Sequence, residues 1–250
     1  MLRTIRTVSI ILLLVCGSNA QVGPSASGHW EGLAIIPGHN INIALDLSQD
    51  GTDLWSGAMS FPDEKSSAMR LSGITIKAGS VTFQSPATSK FEATITADGQ
   101  AMTGTIQLAA KLRPVQLKRI SAPAPLTNPS STAISKQLEG TWQGVLKYGK
   151  TWGEMTPHEG NTPEGASFGI RIRFSTGNDG TAFGNISRLD EPGAELPIDL
   201  IQQQGEDVRI EIFSAAVVFT GQLRGDVISG EWRQLGAEPR PFALTRSALD

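Results

Sequence analysis

The chain has 250 residues, with 21 Lys and Arg against 24 Asp and Glu, a formal net charge of −3. No stripe of clustered basic residues marks it for nucleic acid or an anionic membrane surface. It contains one cysteine, at position 16, so a disulfide within the chain is excluded and the fold must rest on a hydrophobic core.

Residues 1–20 read as a signal peptide. Arg3 and Arg6 form a positive start, residues 8–15 an apolar run, and Ser18-Asn19-Ala20 a small-x-small cleavage site. The run is too short to span a bilayer, which takes about 20 apolar residues. The expected product is secreted or periplasmic after cleavage near Ala20, without cysteine and without an integral membrane segment. Cys16 raises the alternative of a lipoprotein, disfavoured by Val15 where such signals carry a small residue.

The mature part contains one phrase twice. Gly28-His29-Trp30-Glu31-Gly32 returns as Gly140-Thr141-Trp142-Gln143-Gly144, and later phrases match at an offset near 127. Among them, residues 60–64 answer 187–191, Met102-Thr103-Gly104 answers Ile228-Ser229-Gly230, and 113–119 answers 240–246. The chain is thus expected to hold two copies of one unit, 28–119 and 138–247, joined by a Pro/Ser/Thr-rich linker at 120–137 that its prolines keep extended. A short helical turn over 133–138 is expected to close the second unit.

Within each unit the apolar period is two. Ile41, Ile43, Leu45 and Leu47 alternate with polar or small residues, as do Phe168, Ile170, Ile172 and Phe174, the pattern of strands with one buried face. With the opening Gly-x-Trp strand, further runs at 54–61, 69–76, 81–84, 91–97, 102–108 and 112–119 bring the count to about eight, separated by turns such as Asp50-Gly51 and Asp98-Gly99. The fold class read from this is all-β: two tandem eight-stranded antiparallel up-and-down barrels, closed so that no edge is left free.

A short barrel that opens on Gly-x-Trp and closes on a strand carrying Arg resembles the calycin group of lipocalins and avidins, and the Gly-Thr-Trp-x-Gly domains of secreted bacterial proteins. The resemblance implies that Trp30 with Arg119, and Trp142 with Arg246, form the barrel floors, each guanidinium lying on an indole face. Calycins hold small apolar molecules or act as inhibitors. The implied function is therefore a non-catalytic exported protein that binds a small apolar ligand or lipid in a barrel; the alternative is an envelope protein-interaction or protease-inhibitor-like module. The corresponding partners are a small apolar molecule or another envelope protein.

The two copies differ most at 149–165, a long insertion in the second. Trp152, Glu154, His158 and Glu159 within it are the candidate ligand-binding residues, on the expectation that the loop overhangs a barrel mouth. No metal site is read from them, because the loop has a single histidine and lacks the paired-histidine spacing of a metalloenzyme. No cofactor is expected. Gly165-x-Ser167-x-Gly169 fits an esterase pattern, but that pattern requires a sharp strand-to-helix turn, and an alternating strand follows here. No catalytic residues are expected. Trp55 and Trp232 read as barrel core or lining.

Overall fold

The computed structural model describes residues 25–51, 54–108, 111–147, 166–191 and 193–248. The signal-peptide segment with Cys16, and the loop residues Trp152, Glu154, His158 and Glu159, lie outside these residues. The first unit contains β1 (Gly28–Ala34), β2 (Ile41–Gln49), β3 (Trp55–Ser60), β4 (Met69–Arg70), β5 (Ser72–Lys77), β6 (Ser80–Ser85), β7 (Thr88–Ile95), β8 (Ala101–Leu108) and β9 (Lys111–Ser121). The second contains β10 (Gly140–Lys147), β11 (Ser167–Thr176), β12 (Ala182–Arg188), β13 (Glu195–Pro197), β14 (Leu200–Gln204), β15 (Asp207–Ile212), β16 (Val217–Arg224), β17 (Val227–Gln234) and β18 (Arg240–Arg246). Among the described residues the helical segments are two 3-10 turns, Pro62–Glu64 and Phe213–Ala215, so no helix there is long and apolar enough to cross a membrane.

Each unit is one nine-stranded antiparallel sheet curled into a barrel, ordered β4-β3-β2-β1-β9-β8-β7-β6-β5 in the first and β13-β12-β11-β10-β18-β17-β16-β15-β14 in the second. The difference from the expected eight has a local cause. The single apolar run 69–76 bends at Leu71, so that its first part pairs with β3 and its second with β6. Both edges of the sheet therefore belong to one bent segment. At the bend the Leu71 N–H donates to Gly57 O at 3.0 Å, and in the second unit the Ile198 N–H donates to Gly184 O at 3.0 Å. Glycine is needed on the receiving strand: a Cβ on Gly57 would stand 2.9 Å from a Leu71 methyl and 2.7 Å from Asp46 O. Counting by hydrophobic run merges two strands because the bend leaves the alternation intact.

The alternating residues point inward as their period requires. Ile41, Ile43, Leu45 and Leu47 are buried in the first core with Trp30, Phe83 and Phe91; Ile170, Ile172 and Phe174 are buried in the second with Trp142, Phe219 and Phe242. Phe83 and Phe91 stack at 4.2 Å.

The linker is more than a tether. Ala124 N–H donates to Asp46 Oδ1 and Arg70 Nε to Asn128 Oδ1, holding it against the first barrel. Thr132 then enters the second barrel, donating its N–H to Ile201 O at 2.9 Å and accepting from Ala182 N–H at 3.0 Å. It thereby laces β12 to β14 where they diverge below the bend. In place of the expected helical turn over 133–138 there is a tighter turn at 136–138, closed by Leu138 N–H to Ser135 O.

The barrels are docked on one another. Leu235, in the β17–β18 connection, belongs to the first barrel's core, and Phe213 and Ala216 pack against that core. In return the loop after β3 sits on the wall of the second barrel: Ser67 donates its N–H and hydroxyl to the Glu211 carboxylate at 2.8 and 2.5 Å, and Lys65 O accepts from Arg209 Nη2.

Candidate functional site

The two ends of each barrel are built differently. At one end the phrase containing Trp30 or Trp142 makes a closed floor. Trp30 Nε1 donates to Ala26 O at 3.0 Å and Trp142 Nε1 to Leu138 O at 2.8 Å. The Arg119 and Arg246 guanidinium carbons each lie 4.4 Å from the corresponding indole centroid, a cation–π contact worth roughly 0.5–2 kcal/mol. Each guanidinium also donates to backbone carbonyls of the segment entering the barrel, Ser27 and Ser25 for Arg119, Glu139 and Gln137 for Arg246. The indole N–H and the guanidinium of each floor thus serve to hold the chain.

At the opposite end the copies part. In the first barrel Phe61 is 1% exposed and Met69 is buried beside it, filling the mouth. The residue 127 positions after Phe61 is Arg188 (188 − 61), and an arginine does not enter an apolar core unpaired. It lies over the Phe168 ring at 4.9 Å. Its Nε and Nη2 donate to Asp190 at 3.0 and 2.6 Å, and its Nη1 pairs with Glu191 at 3.0 Å. Leu196, which answers Met69, is 45% exposed.

With no side chain taking the place of Phe61, the second barrel keeps a cavity of about 300 Å3. Its walls are largely apolar, including Leu146, Ile170, Ile186, Ile212, Val217 and Trp232, with Arg188 and Glu191 among its polar residues. Trp232 is 5% exposed and its buried indole N–H has no acceptor. Such a group costs about 1–3 kcal/mol when left unsatisfied.

A larger groove of about 960 Å3 lies on the outer wall, lined by Gln202, Asp207, Arg209, Gln222 and neighbours. Several of its polar side chains are already engaged, Gln222 with Asp207, Gln203 with Ser135 and Gly205, and Arg209 with Glu211. The smaller interior cavity has the shape and lining expected of a small-molecule site.

The sequence reading placed the candidate ligand residues in the loop at 149–165, none of which is described. It passed over Arg188, Asp190 and Glu191 although it had aligned 60–64 with 187–191; the replacement of Phe by Arg within that matched phrase was the available signal. Ser167 opens β11, paired with Lys147 and exposed, which is strand geometry and not a nucleophile turn. Asp179 accepts from the N–H and hydroxyl of Thr181 at 3.0 and 2.7 Å, so its carboxylate is spent on a turn. Among the described residues no three His, Cys, Asp or Glu side chains are grouped as a metal site.

Fold and cavity together define a protein of two tandem antiparallel β-barrels, docked, with one apolar cavity at the mouth of the second. No protein-family model matches the chain, and no curated protein matches it. Two solved structures are similar over most of their length. One is a protein of unknown function from the DUF3598 family of Nostoc punctiforme, with 12% identity, 89% of this chain and 96% of that one covered, and a TM-score of 0.28. The other is a Bacteroides fragilis protein provisionally named for the outer membrane, with 8% identity, 88% and 97% covered, and a TM-score of 0.25.

Proposed function

We propose that this is an exported, non-catalytic binding protein that holds a small apolar molecule in the mouth of its second barrel, the first barrel serving as a filled structural partner. The export half of this reading rests on the leader-like residues 1–20. The observation that carries the binding half is the pairing of Phe61 with Arg188: one copy fills its mouth with a side chain and the other leaves about 300 Å3 of apolar space there. Small eight- to nine-stranded barrels either fill their interior or hold one small ligand, and this molecule contains one of each kind.

The test is binding of naphthalene, an uncharged apolar fluorophore small enough for the cavity, to the full mature protein and to Arg188→Phe, which gives the second barrel the residue of the first. Saturable binding by the parent, weakened at least tenfold in Arg188→Phe with an unchanged melting temperature, is the expected outcome. No saturable binding by the parent, or equal binding by both proteins, overturns the proposal.

A second reading, interaction with another envelope protein, is favoured by one surface feature. Val145 is 64% and Leu189 40% exposed, and the two flank Gly169, over which the Leu189 side chain lies. Single exposed apolar residues are common on protein surfaces, and this pair is small beside the cavity.

A further inference from the structure

The chemical class of the occupant follows from the charges at the cavity, given the reading of that cavity as a ligand site. An apolar pocket that accepts a fatty-acid-like anion needs a cation whose charge is not already matched, because a carboxylate taken out of water without a partner is strongly disfavoured. Arg188 is the one cationic residue among the described cavity walls, and its charge is already paired. Nε and Nη2 are bound by Asp190 and Nη1 by Glu191, while the face of the guanidinium rests on Phe168. One positive charge against two carboxylates leaves the rim net negative. An incoming carboxylate therefore meets repulsion where it would need attraction.

The remaining polar side chains of the described wall are Ser187, Gln234 and the Trp232 indole, none of them charged. A hydroxyl and a carboxamide can each donate a hydrogen bond. A neutral oxygen, of an alcohol, ester, amide or ether, is the group that such donors can serve without a counter-ion. At about 30 Å3 per water-sized unit, the cavity holds on the order of ten non-hydrogen atoms.

We infer that the second barrel selects small uncharged amphiphiles, with one neutral oxygen-bearing head on a short apolar body, and rejects the corresponding carboxylates, the rejection being set by Asp190 and Glu191 through their hold on Arg188.

The experiment uses the full mature protein and a matched pair of probes, 1-decanol and decanoate, at pH 8 and fixed ionic strength, each competing with naphthalene. Decanol is expected to bind at least tenfold more tightly than decanoate. In Asp190→Asn/Glu191→Gln, which frees the Arg188 fork, decanoate affinity is expected to rise about tenfold while decanol affinity stays within twofold. That split distinguishes charge selection from a general loosening of the mouth, which would move both probes together. Equal or tighter binding of decanoate by the parent overturns this inference and leaves the ligand-site reading standing, as does a double variant whose selectivity is unchanged. Failure of both probes and of naphthalene to bind overturns both.

Discussion

Glu211, on the wall of the second barrel, is bound by Ser67 of the first through both the backbone N–H, at 2.8 Å, and the hydroxyl, at 2.5 Å. The carboxylate is 1% exposed and is also held by Arg209 of its own barrel at 2.7 Å, so a buried charge takes its donors from both barrels. Removing one donor from it should cost about 1–3 kcal/mol. The parent is expected to unfold in one calorimetric transition and Ser67→Ala in two, because the link between the barrels weakens while each core stays intact. A single unshifted transition would show that Leu235, Phe213 and Ala216 suffice to hold the units together.

The same docking buries Glu64, which is 5% exposed. Burial pushes its carboxyl up to about 7, with Arg233 opposing and Asp63 adding to the rise. A folded-state value above the unfolded one means that the native protein holds the proton longer, so stability falls as pH rises from about 4.5 through about 7. The full effect is on the order of 3 kcal/mol at most. Glu64→Gln should remove this part of the pH dependence and melt higher than the parent at pH 8. At His29 burial works against protonation, but hydrogen bonds and charges from Asp46 and Glu31 outweigh it and raise the value. Its contribution is present at low pH and is also lost as pH rises, so His29→Gln in the Glu64→Gln background separates the two. Thermal melts from pH 5 to 8 provide the measurement; an unchanged slope in Glu64→Gln would rule out its carboxyl as the source.

Trp142 and Arg246 should matter for stability and not for ligand binding, since their contacts lie at the closed end. Trp142→Ala is expected to cost about 3–5 kcal/mol, as for a large buried aromatic. Arg246→Met should cost less, because the thioether still covers the ring while the bonds to the Glu139 and Gln137 carbonyls are lost. Chemical denaturation gives both numbers, and naphthalene binding at a temperature where each variant remains folded checks the separation of roles. Lost binding with retained stability would contradict it.

Thr132 offers a test of the linker. Thr132→Pro removes the N–H that reaches Ile201 O and is expected to destabilise the second barrel by about 1–3 kcal/mol, the range for a buried polar group left unsatisfied. The signature is local: amide exchange should accelerate at Ala182, whose N–H donates to Thr132 O, and stay unchanged in the first barrel. Uniform exchange across both barrels would mean that the linker contributes no closure of its own.

The amino-acid sequence by itself determined the duplication, the all-β class and which residues face each core. Repeats, turn residues and a period of two are local properties, and they are written in residues such as Ile41, Ile43, Leu45 and Leu47. The bend at Leu71 escaped it because turning a strand from one partner to another leaves its alternation untouched, so one run became two strands. The docking was invisible for another reason: Ser67 and Glu211 are 144 positions apart, and neither carries a mark of its partner. For the cavity, the sequence contained the decisive change, Phe61 against Arg188, but its meaning depended on position. Only in three dimensions does that site lie at a barrel mouth, where an arginine held by Asp190 and Glu191 does not fill the apolar space that a phenylalanine fills in the other copy.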